Sequence, residues 1–320
     1  MTKVLITGAA GFIGSSLAER LLARGGSVVA VDNFDPYYDV AIKRQNISKS
    51  LQHPHYAFYE KDICDQAAIE DLFARERPNV VVHLAARAGV RPSLADPNLY
   101  HRVNIIGSQH ILDAIRKYPV SHLVWASSSS VYGGSTRVPF KEDDPVMTPI
   151  SPYAATKRMN ELMGHVYSHI YGLNITMLRF FTVYGPRQRP DMAISKFTKL
   201  IDNGDAVPMF GDGTTRRDYT FIEDILDGLV RCVDNPLKYE IFNLGESQTI
   251  TLREMIDVIS KHVGKPAKIK QMPLQPGDVE ITYACIDKAK QMLGYDPKFP
   301  FDEGVRRYVE WYRASLSQGA

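Results

Sequence analysis

The opening of the chain limits its fold more than any other segment. Val4-Leu5-Ile6-Thr7 has the apolar, β-branched texture of a short strand, runs at once into Gly8-Ala9-Ala10-Gly11-Phe12-Ile13-Gly14, and continues as the amphipathic stretch Ser15–Arg24. A strand that turns on glycines into a helix brings backbone N–H groups and a helix N-terminus up to a pyrophosphate with no Cβ in the way. The spacing GxxGxxG carries little weight alone, because a plain Gly-rich turn also produces it; the strand before and the helix after give it meaning. Gly8, Gly11, Phe12, Ile13 and Gly14 are therefore expected against the phosphates of a dinucleotide.

The same alternation continues downstream. Strand-like runs at Ser27–Val31, Tyr56–Glu60, Asn79–Leu84, His122–Ser127 and Asn174–Arg179 alternate with helically spaced apolar sets: Leu17, Leu21 and Leu22; Ile69, Leu72 and Phe73; Ile105, Ile111, Leu112 and Ile115. Short apolar strands alternating with amphipathic helices predict an α/β fold, a Rossmann-type doubly wound parallel sheet covered on both faces. After about Thr182 the texture changes to Pro and Gly punctuation, short strands such as Ile241–Leu244, and helices near Leu252–Val263 and Phe301–Leu316. A smaller C-terminal α/β lobe is expected there, packed on the sheet and forming a cleft with it. The expected division is a dinucleotide-binding domain over residues 1–182, with 218–246 returning to it, and a substrate-binding lobe from 183–217 and 247–320.

Composition removes several classes. The 320 residues carry 38 basic and 36 acidic side chains with no basic stripe, so neither nucleic acid nor an anionic membrane is an expected partner. Cys64, Cys232 and Cys285 fit neither a disulfide framework nor a zinc spacing, which predicts no metal site and a reducing cytoplasm. The N-terminus shows no export leader, and no apolar run approaches the roughly 20 residues that span a bilayer.

Acidic residues at strand ends extend the cofactor argument. Asp32 follows Gly14 by eighteen positions, where a carboxylate accepts hydrogen bonds from an adenosine ribose and repels a 2′-phosphate; with Asn33 beside it, NAD is expected rather than NADP. Asp62-Ile63 closes the third strand within reach of an adenine edge, although an acid there also serves simply as a turn former. Leu84-Ala85-Ala86 leaves the fourth strand with small residues that permit close passage of a cofactor or of a packed helix.

Tyr153 and Lys157 stand four residues apart in a helical segment, hence on one face. A phenol beside an ammonium and a cationic nicotinamide becomes a base, because both charges favour phenolate. Upstream, Trp125-Ala126-Ser127-Ser128-Ser129-Ser130-Val131-Tyr132-Gly133 leaves the fifth strand at the sheet end where open α/β folds bind ligands.

With the glycine turn, these motifs resemble the extended short-chain dehydrogenase/reductases that act on nucleotide sugars, and the resemblance runs through essentially the whole chain. It implies that Ser128, Tyr153 and Lys157 are the catalytic set and that Asn104, in the family's NxxG, belongs to the cofactor site. Dehydratases of the family carry an Asp-Glu pair, and its decarboxylases a Glu, where this chain has Ser129 and Ser130. Lacking that second acid or base, the chain is left with reversible oxidation, and hydride return to the same sugar is epimerisation.

The stretches Asp32–Asp39 (DNFDPYYD), Ala88-Gly89-Val90-Arg91 and Leu178–Met192 are similar to the branch that epimerises UDP-glucuronate at C4. By that resemblance Thr182, Arg189 and Arg91 face a sugar carboxylate, Ser128 and Ser129 the sugar, and Arg217 and Tyr219 the diphosphate of a UDP-sugar. Asp278 falls in Gly277-Asp278, which lacks the arginine that often precedes it in these epimerases. Neutral-sugar 4-epimerases and a decarboxylase-like enzyme are the alternatives, and the family's habit of pairing helices implies a homodimer.

Overall fold

The computed structural model describes residues 2–273 and 279–318. Seven parallel strands form the central sheet: β1 (Lys3–Thr7), β2 (Ser27–Asp32), β3 (Tyr56–Glu60), β4 (Val80–His83), β5 (His122–Ser128), β6 (Ile175–Phe180) and an edge strand, Tyr239–Leu244. Their spatial order is edge strand, β6, β5, β4, β1, β2, β3. The chain therefore runs outward from β1 to β3 and then crosses back to lay β4 on the other side of β1. That reversal opens a crevice beyond the carboxyl ends of β1 and β4. The doubly wound fold expected from the alternating pattern is present, with strand limits displaced by a residue or two.

The apolar spacing explains how the layers close. Leu17, Ala18, Leu21 and Leu22 on helix α1 (Phe12–Ala23) are buried against one sheet face. Ile69, Leu72 and Phe73 from the helix Gln66–Glu76 join Ile111, Leu112 and Ile115 from Ser108–Lys117 on the opposite face. With both faces covered, every residue of β4 and β5 is buried, which is why these strands read as continuous rather than alternating apolar runs.

Beyond β6 the chain leaves the sheet. Thr182–Tyr184 pairs in parallel with Tyr219–Phe221, Ala206–Phe210 pairs with Lys268–Met272, and helices Ala193–Asn203, Leu252–Val263 and Phe301–Gln318 complete a second layer. The helix Ile222–Asp234 returns to lie beside α1, tied to it by the ion pairs Arg20–Glu223 and Arg24–Asp234. Tyr184, Tyr219, Phe221, Phe299 and Phe301 stack into an aromatic seam between lobe and sheet, with ring centroids 5.1–6.3 Å apart. Among the described residues no helix is long and apolar enough to cross a membrane.

Candidate active site

A cavity of about 410 Å³ opens over the carboxyl ends of β1, β4 and β5 and runs under the second lobe. Its floor is the glycine turn, and the three glycines serve different ends. Gly8 has φ +69°, and a Cβ there would sit 2.9 Å from the backbone nitrogen of Ala85; one on Gly14 would sit 2.2 Å from the carbonyl oxygen of Gly8. Those two glycines let the turn close on itself and on the end of β4. A Cβ on Gly11 has only the Gly8 carbonyl near it, at 3.2 Å, and otherwise faces open space. The cradle thus fits a phosphate over Gly11 and the start of α1.

His83 locks this floor from below. It is fully buried between Thr7 Oγ1 at 2.6 Å and Ser108 Oγ at 3.0 Å, and burial together with the Lys157 charge lowers its imidazole to about 3, so it stays neutral. Thr7 Oγ1 also accepts the N–H of Ala85, which fixes Leu84-Ala85-Ala86 along the cavity wall.

Asp32 lies at the end of β2 and accepts N–H groups from Ala10 at 3.0 Å and Phe34 at 2.9 Å. Burial raises its carboxyl above the ordinary range although Lys43, 3.8 Å away, opposes the shift. Asn33 donates from its side-chain amide to Asp62, which also accepts the Cys64 N–H. Burial alone would raise Asp62, yet these hydrogen bonds hold it below the usual carboxylate range. Asp62 therefore both shapes its turn and lines the cavity with Ile63.

On the opposite wall Ser151 caps the helix Pro152–Tyr171, accepting the Ala154 N–H at 3.1 Å, which sets Tyr153 in the first turn and Lys157 one turn on. Ser128 ends β5, accepts the Ser130 N–H at 3.1 Å, donates to Ser130 Oγ at 3.0 Å, and lines the cavity together with Tyr153. Burial pushes that phenol up; the Ser128 contact and the Arg189 charge pull it down. The positive charge that opposes the effect of burial on Tyr153 is that of Arg189. Lys157 is buried, donates to the Ala126 carbonyl at 2.8 Å, and is lowered to about 8 by burial against the opposing effect of Glu161.

Thr182, Ser129 and Arg189 complete the wall nearest the second lobe. Arg189 forks onto Asp191, Nε to Oδ1 and Nη2 to Oδ2 at 2.9 Å each, and its guanidinium lies 5.2 Å from the centre of the Tyr37 ring.

Several expected residues stand elsewhere. Asn104 is fully buried in a wide helical turn, Arg102–Gly107, and its amide is spent on the Arg87 N–H and carbonyl and on Thr156 Oγ1, so it braces the β4 loop against the tyrosine helix and is not among the described residues that line this cavity. Tyr219 is buried in the aromatic seam against Tyr184 and Phe301, because strand pairing with Thr182–Tyr184 turns it into the core. Arg91 lies over the Phe210 ring, and Arg217 donates to the carbonyls of Arg216 and Glu280; neither is among the described residues that line the cavity. Asp278 lies outside the described residues.

Conversely, Tyr37, Lys43 and Arg87 line the cavity, and Arg87 pairs there with Asp35. Tyr37 stands in Asp32–Asp39, which the sequence marks as a unit without showing that it folds over the site; Lys43 and Arg87 lie outside that stretch and carried no signal of their own.

A glycine cradle with an acid at the end of β2, joined in one cavity to a Ser–Tyr–Lys set, defines an extended short-chain dehydrogenase/reductase. The model of the family described as GDP-mannose 4,6 dehydratase matches residues 5–308, and the chain belongs to that family. It is 42% identical to a UDP-glucuronate 4-epimerase of Thermodesulfobacterium geofontis over 99% of this chain and 98% of the relative. Its structure is similar to that of UDP-glucuronic acid 4-epimerase from Bacillus cereus in complex with UDP-glucuronic acid and NAD, with TM-score 0.92, 34% identity, and coverage of 98% and 100%. It is also similar to UDP-glucose 4-epimerase with UDP-glucose from Thermotoga maritima, with TM-score 0.91, 32% identity, and coverage of 98% and 100%.

Proposed function

We propose that this protein is an NAD-dependent UDP-sugar 4-epimerase whose substrates are UDP-glucuronate and UDP-galacturonate. The observation that carries the reading is that Ser128, Tyr153, Thr182 and Arg189 line the same cavity as the glycine turn. Serines stand at positions 129 and 130, where elimination or decarboxylation would call for an acid.

The cavity lining suits NAD: Gly8, Gly11, Phe12, Ile13 and Gly14 would hold its pyrophosphate, Asp32 and Asn33 its adenosine ribose, and Asp62 and Ile63 its adenine. Leu84, Ala85 and Ala86 support the opposite side, with Tyr153 and Lys157 toward the nicotinamide ribose. Bound there, NAD would supply a reversible hydride acceptor for C4 of the sugar. The protein's own work is proton transfer and restraint. Tyr153, as phenolate, takes the C4 hydroxyl proton, and Ser128 hydrogen-bonds the same oxygen, leaving a 4-keto sugar. The sugar turns about its bonds to the diphosphate, presents its other face, and Tyr153 gives the proton back.

For a uronate that intermediate is a β-keto acid, which loses CO₂ when the bond to the carboxylate aligns with the carbonyl π system. Thr182 and Arg189 hold the carboxylate away from that alignment, with Ser129 nearby. Replacing Thr182 or Arg189 should release UDP-pentose; no increase, with carboxylate binding intact, would refute this restraint.

The lobe formed by 183–217 and 247–320 supplies the nucleotide side of the cleft. Met159, Leu162, Val166 and Ile170 form an exposed apolar stripe on the helix Pro152–Tyr171, which supports a homodimer built on that face. Three free thiols fit a cytoplasmic setting. The deciding experiment incubates the purified protein with UDP-glucuronate and no added cofactor, then separates the nucleotide sugars. UDP-galacturonate without UDP-pentose is expected; UDP-pentose, or no change even with NAD supplied, would overturn the reading.

A further inference from the structure

The fork that Arg189 offers to a sugar carboxylate is already filled by this chain's own carboxylate. Both Asp191 oxygens sit 2.9 Å from Arg189, one on Nε and one on Nη2, in the two-point geometry a substrate carboxylate would use. The Met192 sulfur lies 3.6 Å from the same Nη2. The Tyr37 phenol is raised first by burial and then by the Asp191 charge, and the guanidiniums of Arg87 and Arg189 each lie 5.2 Å from the centre of its ring. The two partners differ in exposure: the Arg189 side chain is 20% accessible and that of Asp191 42%. Asp191 can therefore return to solvent while the guanidinium stays in the cavity wall.

We propose that Asp191 is a specificity-determining positioning residue, an internal carboxylate that holds the Arg189 fork in the resting site and yields it to the carboxylate of an acidic sugar. This inference rests on the reading of Arg189 as a carboxylate contact. An acidic sugar exchanges one ion pair for another and leaves Asp191 to water, at modest net cost because Asp191 is the more exposed partner. A neutral sugar has no group to displace it and finds the fork occupied. Discrimination then comes from a repulsive element already in place as well as from the attraction of the guanidinium.

The test compares UDP-glucuronate with UDP, which lacks the carboxylate, as ligands of the NAD-loaded protein. Dissociation constants are measured calorimetrically for the wild type, Asp191→Asn, Arg189→Gln and the double variant. Asparagine keeps one oxygen for Arg189 Nε but removes the competing charge. Asp191→Asn should tighten UDP-glucuronate by about fivefold and leave UDP within about twofold. The gain should vanish in the Arg189→Gln background. An unchanged or weakened UDP-glucuronate affinity, equal shifts for both ligands, or a gain that persists without Arg189 would each overturn the proposal. Because the readout is binding, it is separate from turnover: if Asp191→Asn tightens UDP-glucuronate as described while the wild type forms no epimer, the epimerase reading alone is defeated.

Discussion

Arg179 on β6 and Glu161 on the tyrosine helix meet fork to fork, Nε to Oε1 at 2.8 Å and Nη2 to Oε2 at 3.0 Å, with both side chains essentially sealed from solvent. Glu161 further accepts from Ser127 Oγ at 2.7 Å and Arg158 Nη1 at 3.0 Å, and Arg179 donates to the Tyr132 hydroxyl at 2.9 Å. Lys157 lies one turn before Glu161, so this network fixes the helix that carries Tyr153 and Lys157 to the ends of β5 and β6.

Removing one member of so buried a pair leaves the other charge uncompensated. Glu161→Gln should cost about 3–5 kcal/mol of unfolding free energy. Burial raises the Glu161 carboxyl, but the Arg179 fork outweighs it and holds the group below its ordinary 4.5. Its contribution is therefore present at neutral pH and lost on acidification. Denaturant unfolding at pH 7 checks the first statement, and repeating it at lower pH should narrow the gap between wild type and variant.

Tyr153→Phe keeps the ring and removes the proton carrier. Turnover should fall by about 10²–10⁴-fold while NAD and UDP-sugar binding persists. Steady-state kinetics beside equilibrium binding separates these effects; a variant that bound neither ligand would assign Tyr153 to the site's architecture instead.

The limb of the pH–rate profile on which activity rises with pH should respond to Arg189. Burial raises the Tyr153 phenol, and the Arg189 cation opposes that rise. Arg189→Gln should therefore move this limb to higher pH, and Ser128→Ala should move it the same way by removing the hydrogen bond that favours phenolate. A limb that moved down, or stayed in place in both variants, would separate it from Tyr153.

Glu246 gives the opposite stability trend from Glu161. Its Oε2 is buried without a hydrogen-bond partner among the described residues, and burial, with Asp224 and Asp218 nearby, raises its carboxyl to about 8. A group raised from 4.5 in the unfolded chain binds its proton more tightly when folded, so its stabilisation is complete below 4.5 and is lost as pH climbs through about 8. Glu246→Gln, which carries no charge at any pH, should match the wild type near pH 5 and melt at a higher temperature near pH 9. Differential scanning fluorimetry across that range reads the divergence.

The apolar stripe on the tyrosine helix predicts its own disruption. Leu162, 47% exposed in the single chain, sits between Met159 and Val166 on one face. If the proposed homodimer is built on this face, sedimentation velocity should find the wild type as a dimer and Leu162→Glu as a monomer at the same concentration.

What the sequence determined by itself was local. Glycine spacing after a β-branched run dictated a strand–turn–helix, apolar periods placed the sheet strands to within a residue or two, and Tyr153 and Lys157 shared a face because helical geometry puts residues four apart together. These follow from backbone sterics and side-chain period, which act over a few residues. The tertiary structure decided which charges meet. The Arg189 charge acts on Tyr153, Asp191 fills the Arg189 fork, Lys43 approaches Asp32, and Asn104 and Tyr219 turn away from the cavity into packed contacts. Such pairings depend on angstrom-scale distances across crossovers, where Coulomb energy and burial vary steeply, and a linear pattern carries residue types without those distances.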